Sequence, residues 1–523
     1  MSNVKILDCT LRDGGYINSW NFGEDNIRSV IRDLTKAGVE IVECGFISEK
    51  EKFTKDQSRF GSPAEIVPYL PSYRGDCTYV AMINYGDVDF ENFPQCDGGV
   101  TGIRVAFHKN DRYDALRACE TLSSKGYKVF VQPMVAFSYS DEEYLEMIRL
   151  VNGFHPYAFY IVDSHGSMKG DDVSRYYYLV ENNLAPDIMM GFHSHNNLQL
   201  SYSNAQILVE KQTKRQMIID SSIFGMGRGA GNLNTELLIE YLNNEKGAKY
   251  QIKPILQSVD STIEPVYRQF GWGFSMPYYL SASYRCHQNY AGYLRQRQTL
   301  TVEDMDSIFR CIAPEYKDVF SKKHIEQLYY EYQNCKIADR SAKSALEEKI
   351  AGRSVVILAS GKSVAGSAEE ISEIISRKNA VVISVNYVNE LIRSDYVFVS
   401  NLRRYEALKD SCVSGLIVTS NIREAENAGY VLNYADLINT EEAVEDNVTL
   451  MLINLLIDLK AAEVMLAGVD GYVYGEKNFL RDNLETYEPR DVLEAKNRGM
   501  SAMIKKYSAE IPISFITKTF LDI

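Results

Sequence analysis

The chain has 523 residues, more than one ordinary hydrophobic core organises, so at least two domains are expected. Its composition, 45% hydrophobic and 24% charged with no apolar run near the ~18–20 residues of a membrane span, is that of a globular protein without a membrane partner. A formal charge of −14 argues against nucleic-acid binding, which needs a basic footprint. The start of the chain runs directly into a strand pattern and carries no leader signature. Nine cysteines, with no CxxC pair, read as reduced thiols, and the expected location is cytoplasmic. Cys9 and Cys44 lie in apolar strands, where packing is the plainer reading than chemistry.

In chain order, short apolar runs occupy 4–9, 39–46, 79–83, 102–107, 127–134, 158–164, 188–195 and 217–227, and helical patterns such as 26–38 and 142–153 separate most of them. Near-continuous apolar strands alternating with helices imply a parallel sheet, and eight in about 230 residues match a (β/α)₈ barrel. Residues 250–350 are helix-rich and aromatic and lack any strand rhythm. From 354 that rhythm resumes, with strands at 354–360, 380–386, 396–401, 415–421 and 464–470, too few for a second barrel. The predicted architecture is therefore α/β throughout: a TIM barrel over 1–250, a helical extension and linker over 251–350, and a smaller open-sheet, Rossmann-like domain over 351–523.

The seventh barrel strand ends in Gly191-Phe192-His193-Ser194-His195, and side chains two apart on a strand share a face, so His193 and His195 can present their imidazoles together. Asp13 follows strand one, and strands one and seven are near neighbours in a closed ring of eight. Two imidazoles and a carboxylate with open positions suit a catalytic divalent cation. Each part alone has a plainer reading: an HxH pair can be structural, and Asp13 beside Arg12 can be an ion pair. The glycine-rich stretch 225–231 after strand eight is either a tight turn or a close approach to a ligand, and Asn232 there can add a fourth ligand oxygen.

These residues resemble a family. DCTLRDGG, VDSHGSM, GFHSHNNLQLSYSNA and GMGRGAGNLNTE, in that order over 4–240, are similar to the metal-dependent aldolases, lyases and acyl-transferring synthases that include 3-hydroxy-3-methylglutaryl-CoA lyase and 2-isopropylmalate synthase, and most of all to the 4-hydroxy-2-oxovalerate aldolase branch. The resemblance implies a C–C lyase acting through the enolate of a 2-oxo acid, with the cation (Mn²⁺ or Mg²⁺ first, Co²⁺ or Zn²⁺ as alternatives) as Lewis acid. It places Arg12 at the developing negative charge and Ser164 within reach of the substrate. Where the aldolase branch carries a histidine base, this chain has Tyr16, a poor base unless activated, which leaves His165, His287 and Tyr279 as further candidates. The aromatic segment holding Tyr279 and His287 is either a lid over the barrel mouth or a packing or subunit surface, and a homo-oligomer is expected.

In the C-terminal part, Gly361-Lys362-Ser363 is not a P-loop, because Val356 stands where its first glycine belongs. The strand-to-loop corner is either a plain turn or an anion site. Over 355–475, Ser360-Gly361-Lys362-Ser363, Asn386 and Gly468-Val469-Asp470 resemble in outline the nucleotide-sugar-binding domains of bacterial sialyltransferase type. That implies a nucleotide or nucleotide-sugar ligand and a sugar-like substrate for the barrel. Two alternatives stand beside the aldolase reading: a Claisen-type acyl-CoA condensing synthase, and a transferase or nucleotide-binding module carried on a non-catalytic barrel.

Overall fold

A computed structural model describes residues 3–297, 300–409, 415–423, 425, 428–486 and 488–523; Cys412 lies outside them. The chain divides into two compact units, Met1–Leu294 with Phe309–Lys322, and Arg295–Ile308 with Lys323–Ile523.

The first unit is a closed barrel of eight parallel strands: β1 Val4–Asp8, β2 Ile41–Ile47, β3 Thr78–Asn84, β4 Gly102–Phe107, β5 Lys128–Pro133, β6 Ala158–Asp163, β7 Met189–Ser194 and β8 Met217–Ser221. Each pairs with its neighbours, and β1 pairs with both β2 and β8, which closes the ring. Helices such as Glu24–Ala37 and Asp141–Phe154 cover the outside. The strands are apolar on both faces because both are buried. Ile6, Val42 and Val105 pack under the helices, while Leu7, Ile41, Val80, Phe130, Tyr160 and Ile218 fill the interior. Gly191 shows how tightly: a Cβ there would lie 2.2 Å from the Tyr160 ring. A two-residue strand, Arg59–Phe60, adds to the outer end of β2 and is too short to show a period in the sequence. The last barrel strand is shorter than its apolar run: it stops at Ser221, and a 3₁₀ turn, Ile223–Gly225, follows.

The second unit holds an all-parallel open sheet: β9 Ser354–Leu358, β10 Val381–Val385, β11 Tyr396–Val399, β12 Leu416–Thr419, β13 Tyr430–Leu432, β14 Glu463–Ala467 and β15 Ile513–Phe515. Their spatial order is β13-β12-β11-β10-β9-β14-β15. Five match the expected strands; β13 and β15 are added three-residue edge strands. Helices on both faces complete it, among them Ala368–Lys378 and the apolar Val448–Asp458. No helix among the described residues is long and apolar enough to cross a membrane.

Candidate active site

The barrel interior carries charge where a core would be apolar. Glu43 on β2, Arg104 on β4 and Asp220 on β8 are each almost fully buried. Glu43 pairs with Arg12 at 2.8 Å and with Arg104 at 2.8 Å; Arg104 pairs with Asp220, and Asp220 with His193 Nδ1 at 2.9 Å. Charges alternate along this chain, as buried charges must if each is to offset its own desolvation. Burial disfavours the charge on Arg12, but Glu43 and Asp13 reverse that and hold it protonated. Burial also raises Asp220, and Arg104 and His193 bring it below the usual carboxylate range.

Above this network, at the carboxyl ends of the strands, Asp13, His193 and His195 bring one ligand atom each to within 4.8 Å of one another. Asp13 stands on a single helical turn, Thr10–Asp13, placed directly on the end of β1. The two histidines share the inward face of β7 and its extension, as their spacing predicts. Asp220 occupies Nδ1 of His193, which leaves Nε2 as that ring's free nitrogen. Burial pulls the His195 imidazole down to about 3, with His193, Arg228 and Arg12 adding to it against Asp13, so the ring is neutral and its lone pair available. Burial pushes Asp13 up, but His195, Arg12 and His193 overcome it and keep the carboxylate ionised.

A divalent cation fits this donor set. His195 Nδ1 and Asn232 Oδ1 are buried polar atoms with no hydrogen-bond partner. Asn232 also donates to Asp13 Oδ2 at 2.7 Å, which brings the expected fourth ligand to the cluster. Formal charges on Arg12 and Arg104 against Asp13, Glu43 and Asp220 leave −1, which a divalent ion turns to +1. Two imidazoles plus one carboxylate with open positions form a catalytic rather than a structural ligand set.

A cavity of about 50 Å³ opens over the cluster, lined by Arg12, Tyr16, Asn84, Gln132, Ser164 and Arg228, among others. Arg12 Nη2 and Gln132 Nε2 are buried donors without acceptors. Ser164 accepts from Val135 N at 2.9 Å, which leaves its hydroxyl hydrogen to give. Tyr16 is 38% exposed at the mouth, with the Arg228 guanidinium 4.8 Å over its ring. His165 is buried behind Ser164, 6.0 Å from the His287 ring, and neither lines the cavity. Burial holds both imidazoles neutral. With its amide turned so that the nitrogen faces Ser164, Gln288 donates to Ser164 O at 3.0 Å and accepts from Arg228 Nε at 2.8 Å. Tyr279 is half-exposed and outside the cavity lining. Glu43, Arg104, Asp220, Gln132, Arg228 and Gln288 were not singled out from the sequence. For the first three the signal was there: one charge in each of three otherwise apolar strands.

The comparisons with known proteins agree with this geometry. Residues 3–262 match the HMGL-like family model. This segment belongs to the HMGL-like family. The HMGL-like barrel is 28% identical over 244 residues to a 4-hydroxy-2-oxovalerate aldolase of Comamonas testosteroni, covering 45% of this chain and 67% of that protein. It is 28% identical over 248 residues to the 4-hydroxy-2-oxovalerate aldolase of Pseudoalteromonas translucida, covering 46% and 70%. Among solved structures, the N-terminal domain of a candidate aldolase from Bacteroides vulgatus aligns over its whole length and 59% of this chain, with a TM-score of 0.51 and 26% identity. The carboxyl transferase domain of Rhizobium etli pyruvate carboxylase shares the fold, with a TM-score of 0.50 and 12% identity over 66% of this chain and 65% of that one. The HMGL-like unit is a carbon–carbon lyase of the metal-dependent aldolase class with a small-molecule substrate.

In the second unit, Ser360, Gly361, Asn386 and Asp470 come together along one crevice. Lys362 is exposed and outside it, and Ser363 is bonded to Asp470.

Proposed function

We propose that the barrel makes or breaks a C–C bond adjacent to a 2-oxo acid, with Mn²⁺ or Mg²⁺ held by Asp13, His193, His195 and Asn232. The observation that carries this reading is the unpartnered Arg12 Nη2 in the same small cavity as the Asp–His–His cluster. When bound, the cation would polarise the 2-oxo acid and stabilise negative charge on its oxygens. Arg12, fixed by Glu43 and Asp13, supplies a donor at the oxygen that becomes negative as the bond breaks, without reorganising. Gln132 Nε2 and the Ser164 hydroxyl give neutral donors to the acid's remaining oxygens, and Arg228 offers a second cation toward the mouth.

Proton transfer falls to Tyr16. Of Tyr16, His165 and His287 it alone lines the cavity, where the Arg228 guanidinium, 4.8 Å over its ring, holds it at the mouth. His165 instead supports Ser164 and Arg228 through Gln288, and His287 Nδ1 is taken by Asn289 N at 3.1 Å. The bond-breaking half is thus written as a relay: the aldol hydroxyl proton passes to the Tyr16 oxygen, the electrons of the C–C bond pass into the 2-oxo acid's enolate as the aldehyde leaves, and Tyr16 gives its own phenolic proton to the enolate carbon.

The test is metal-content analysis joined to a pyruvate-release screen over 4-hydroxy-2-oxo acids, including sugar-derived ones. Pyruvate release that needs added metal, and that His193→Ala with His195→Ala abolishes, supports the reading. Full activity in that double variant sinks it. Tyr16→Phe should lower kcat ~10²–10⁴-fold with metal content unchanged, the usual size of a lost acid–base group. An unchanged kcat would move the proton to another residue.

A further inference from the structure

The crevice of the second unit shares no lining residue with the barrel cavity. The chain leaves β9 toward β10 on one side and β14 toward β15 on the other, so the ends of these two adjacent strands part at a topological switch point. Ligands of open parallel sheets sit at such points, because the diverging loops leave a gap outside the strand ends. Here the ends themselves are closed by glycine. Gly361 N donates to Gly468 O at 2.9 Å, and a Cβ on Gly361 would stand 2.4 Å from that oxygen. Gly468 has φ +72°, and a Cβ there would meet Ala359 O at 2.3 Å. Asp470 accepts from Ser363 N at 2.9 Å and from its hydroxyl, so this carboxylate is occupied in pinning the loop after β9.

The space left over is about 110 Å³, well above the ~10–15 Å³ that one water needs. Its lining defines what enters. Among the described residues no lysine, arginine or histidine borders it, and its one carboxylate is already used. A bare phosphate or a carboxylic acid seated deep in it would therefore have no counter-charge. One part of the wall is Tyr472, Phe479 and Met500, the two rings meeting edge to face at 6.2 Å. Asn386, held at φ +66° on the end of β10, keeps a buried Oδ1 with no donor. A flat, uncharged group that lies on the rings and gives an N–H or O–H to Asn386 answers both features. At the rim the helix Val448–Asp458 begins. Asn447 caps the N–H of Leu450 at 3.2 Å, and the N–H groups of Val448 and Thr449, both lining the crevice, meet no acceptor among the described residues. A helix of eleven residues presents its positive end there, which suits an anion at the rim and not in the depth.

We infer that this crevice is a nucleotide site, taking the nucleoside against Tyr472, Phe479 and Asn386 and its phosphate on the Val448 and Thr449 N–H groups. The inference is independent of the barrel reading: it rests on a separate unit and on none of the same residues.

Calorimetric titration of the full chain in EDTA tests it, with AMP, GMP, CMP and UMP, their nucleosides and inorganic phosphate as probes. One nucleotide should bind with a stoichiometry of one, at least tenfold more tightly than its nucleoside. Asn386→Gly, which tolerates the left-handed backbone, and Tyr472→Leu should each weaken it at least tenfold and leave the barrel's lyase activity unchanged. If one variant fails to fold, the other carries the test. The corresponding nucleoside-diphosphate sugars, run alongside, tell a free nucleotide from a sugar-linked one by which binds tighter. The inference is overturned if no probe nucleotide binds at millimolar concentration, if both variants bind as wild type does, or if inorganic phosphate binds as well as the nucleotides.

Discussion

Asp220 decides which nitrogen of His193 can serve as a ligand. Its Oδ2 sits 2.9 Å from Nδ1, and Arg104 holds the same carboxylate from the other side. Such outer partners fix ring orientation and raise ligand basicity, and their loss typically costs ~10–100-fold in metal affinity. Asp220→Asn keeps an acceptor at that distance but removes its charge, so Mn²⁺ affinity measured by titration should fall by about that factor, with the secondary structure seen by circular dichroism unchanged. Unaltered affinity would reduce Asp220 to a partner of Arg104 alone. At this scale the sequence was readable wherever chemistry and spacing coincided: His193 and His195 by their two-residue period, Asp13 by its place after a strand. Asp220, Glu43 and Arg104 show the limit. A lone charge in an apolar strand says that a partner must exist, since an unpaired buried charge is too costly. It does not say which strand supplies that partner, because barrel register is a long-range property.

Among the elements, β1 illustrates how a barrel strand is joined to the loops that form its site. Asp8, at its end, accepts from Thr10 N at 2.9 Å in the turn that carries Asp13, and from the Thr235 hydroxyl at 2.6 Å at the start of the helix Thr235–Lys246. Burial, only partly offset by Thr10 and Thr235, pushes this carboxyl up to about 6. In the unfolded chain it titrates near ~3.9. Between these values the folded state holds a proton that the unfolded state has released, so stability falls as pH rises from about 4 to 6 and stays reduced above that. The cost at neutral pH is about 3 kcal/mol, at ~1.36 kcal/mol for each pH unit between the two values. Asp8→Asn, like the protonated acid, keeps one acceptor for Thr10 N and offers a donor to the Thr235 hydroxyl, which can turn to donate to Ser221, and it does not titrate. In urea denaturation it should gain on wild type more at pH 8 than at pH 5; an equal difference at both pH values would mean that Asp8 is ionised in the fold at no cost. Elements were legible in proportion to their length and burial. The eight barrel strands announce themselves as apolar runs. The three-residue edge strands β13 and β15 have no room for a period, and the run at 217–227 overstates β8 because Ile223 and Met226 are apolar for loop packing against the core.

On the scale of the whole molecule, the two units have separate cores. One is built from residues between Val4 and Ile263, the other from residues between Leu346 and Leu521. Two cores that share no residue need not melt together, and a ligand stabilises only the unit that binds it. This makes the two proposed sites separable in a single experiment on the intact chain. In scanning calorimetry two transitions are expected. Mn²⁺ at ~100 times its Kd should raise one of them by about 2.7 kcal/mol of stability and leave the other in place, and the nucleotide that binds best should do the reverse. The transition that Mn²⁺ moves should lose that response in the His193→Ala/His195→Ala variant, and the transition the nucleotide moves should lose its response in Tyr472→Leu. A single transition shifted by both ligands would mean that the units fold as one cooperative body. Mn²⁺ raising both of two transitions would mean that it binds in each unit, and the Asp13, His193 and His195 cluster would then not account for all of the chain's metal.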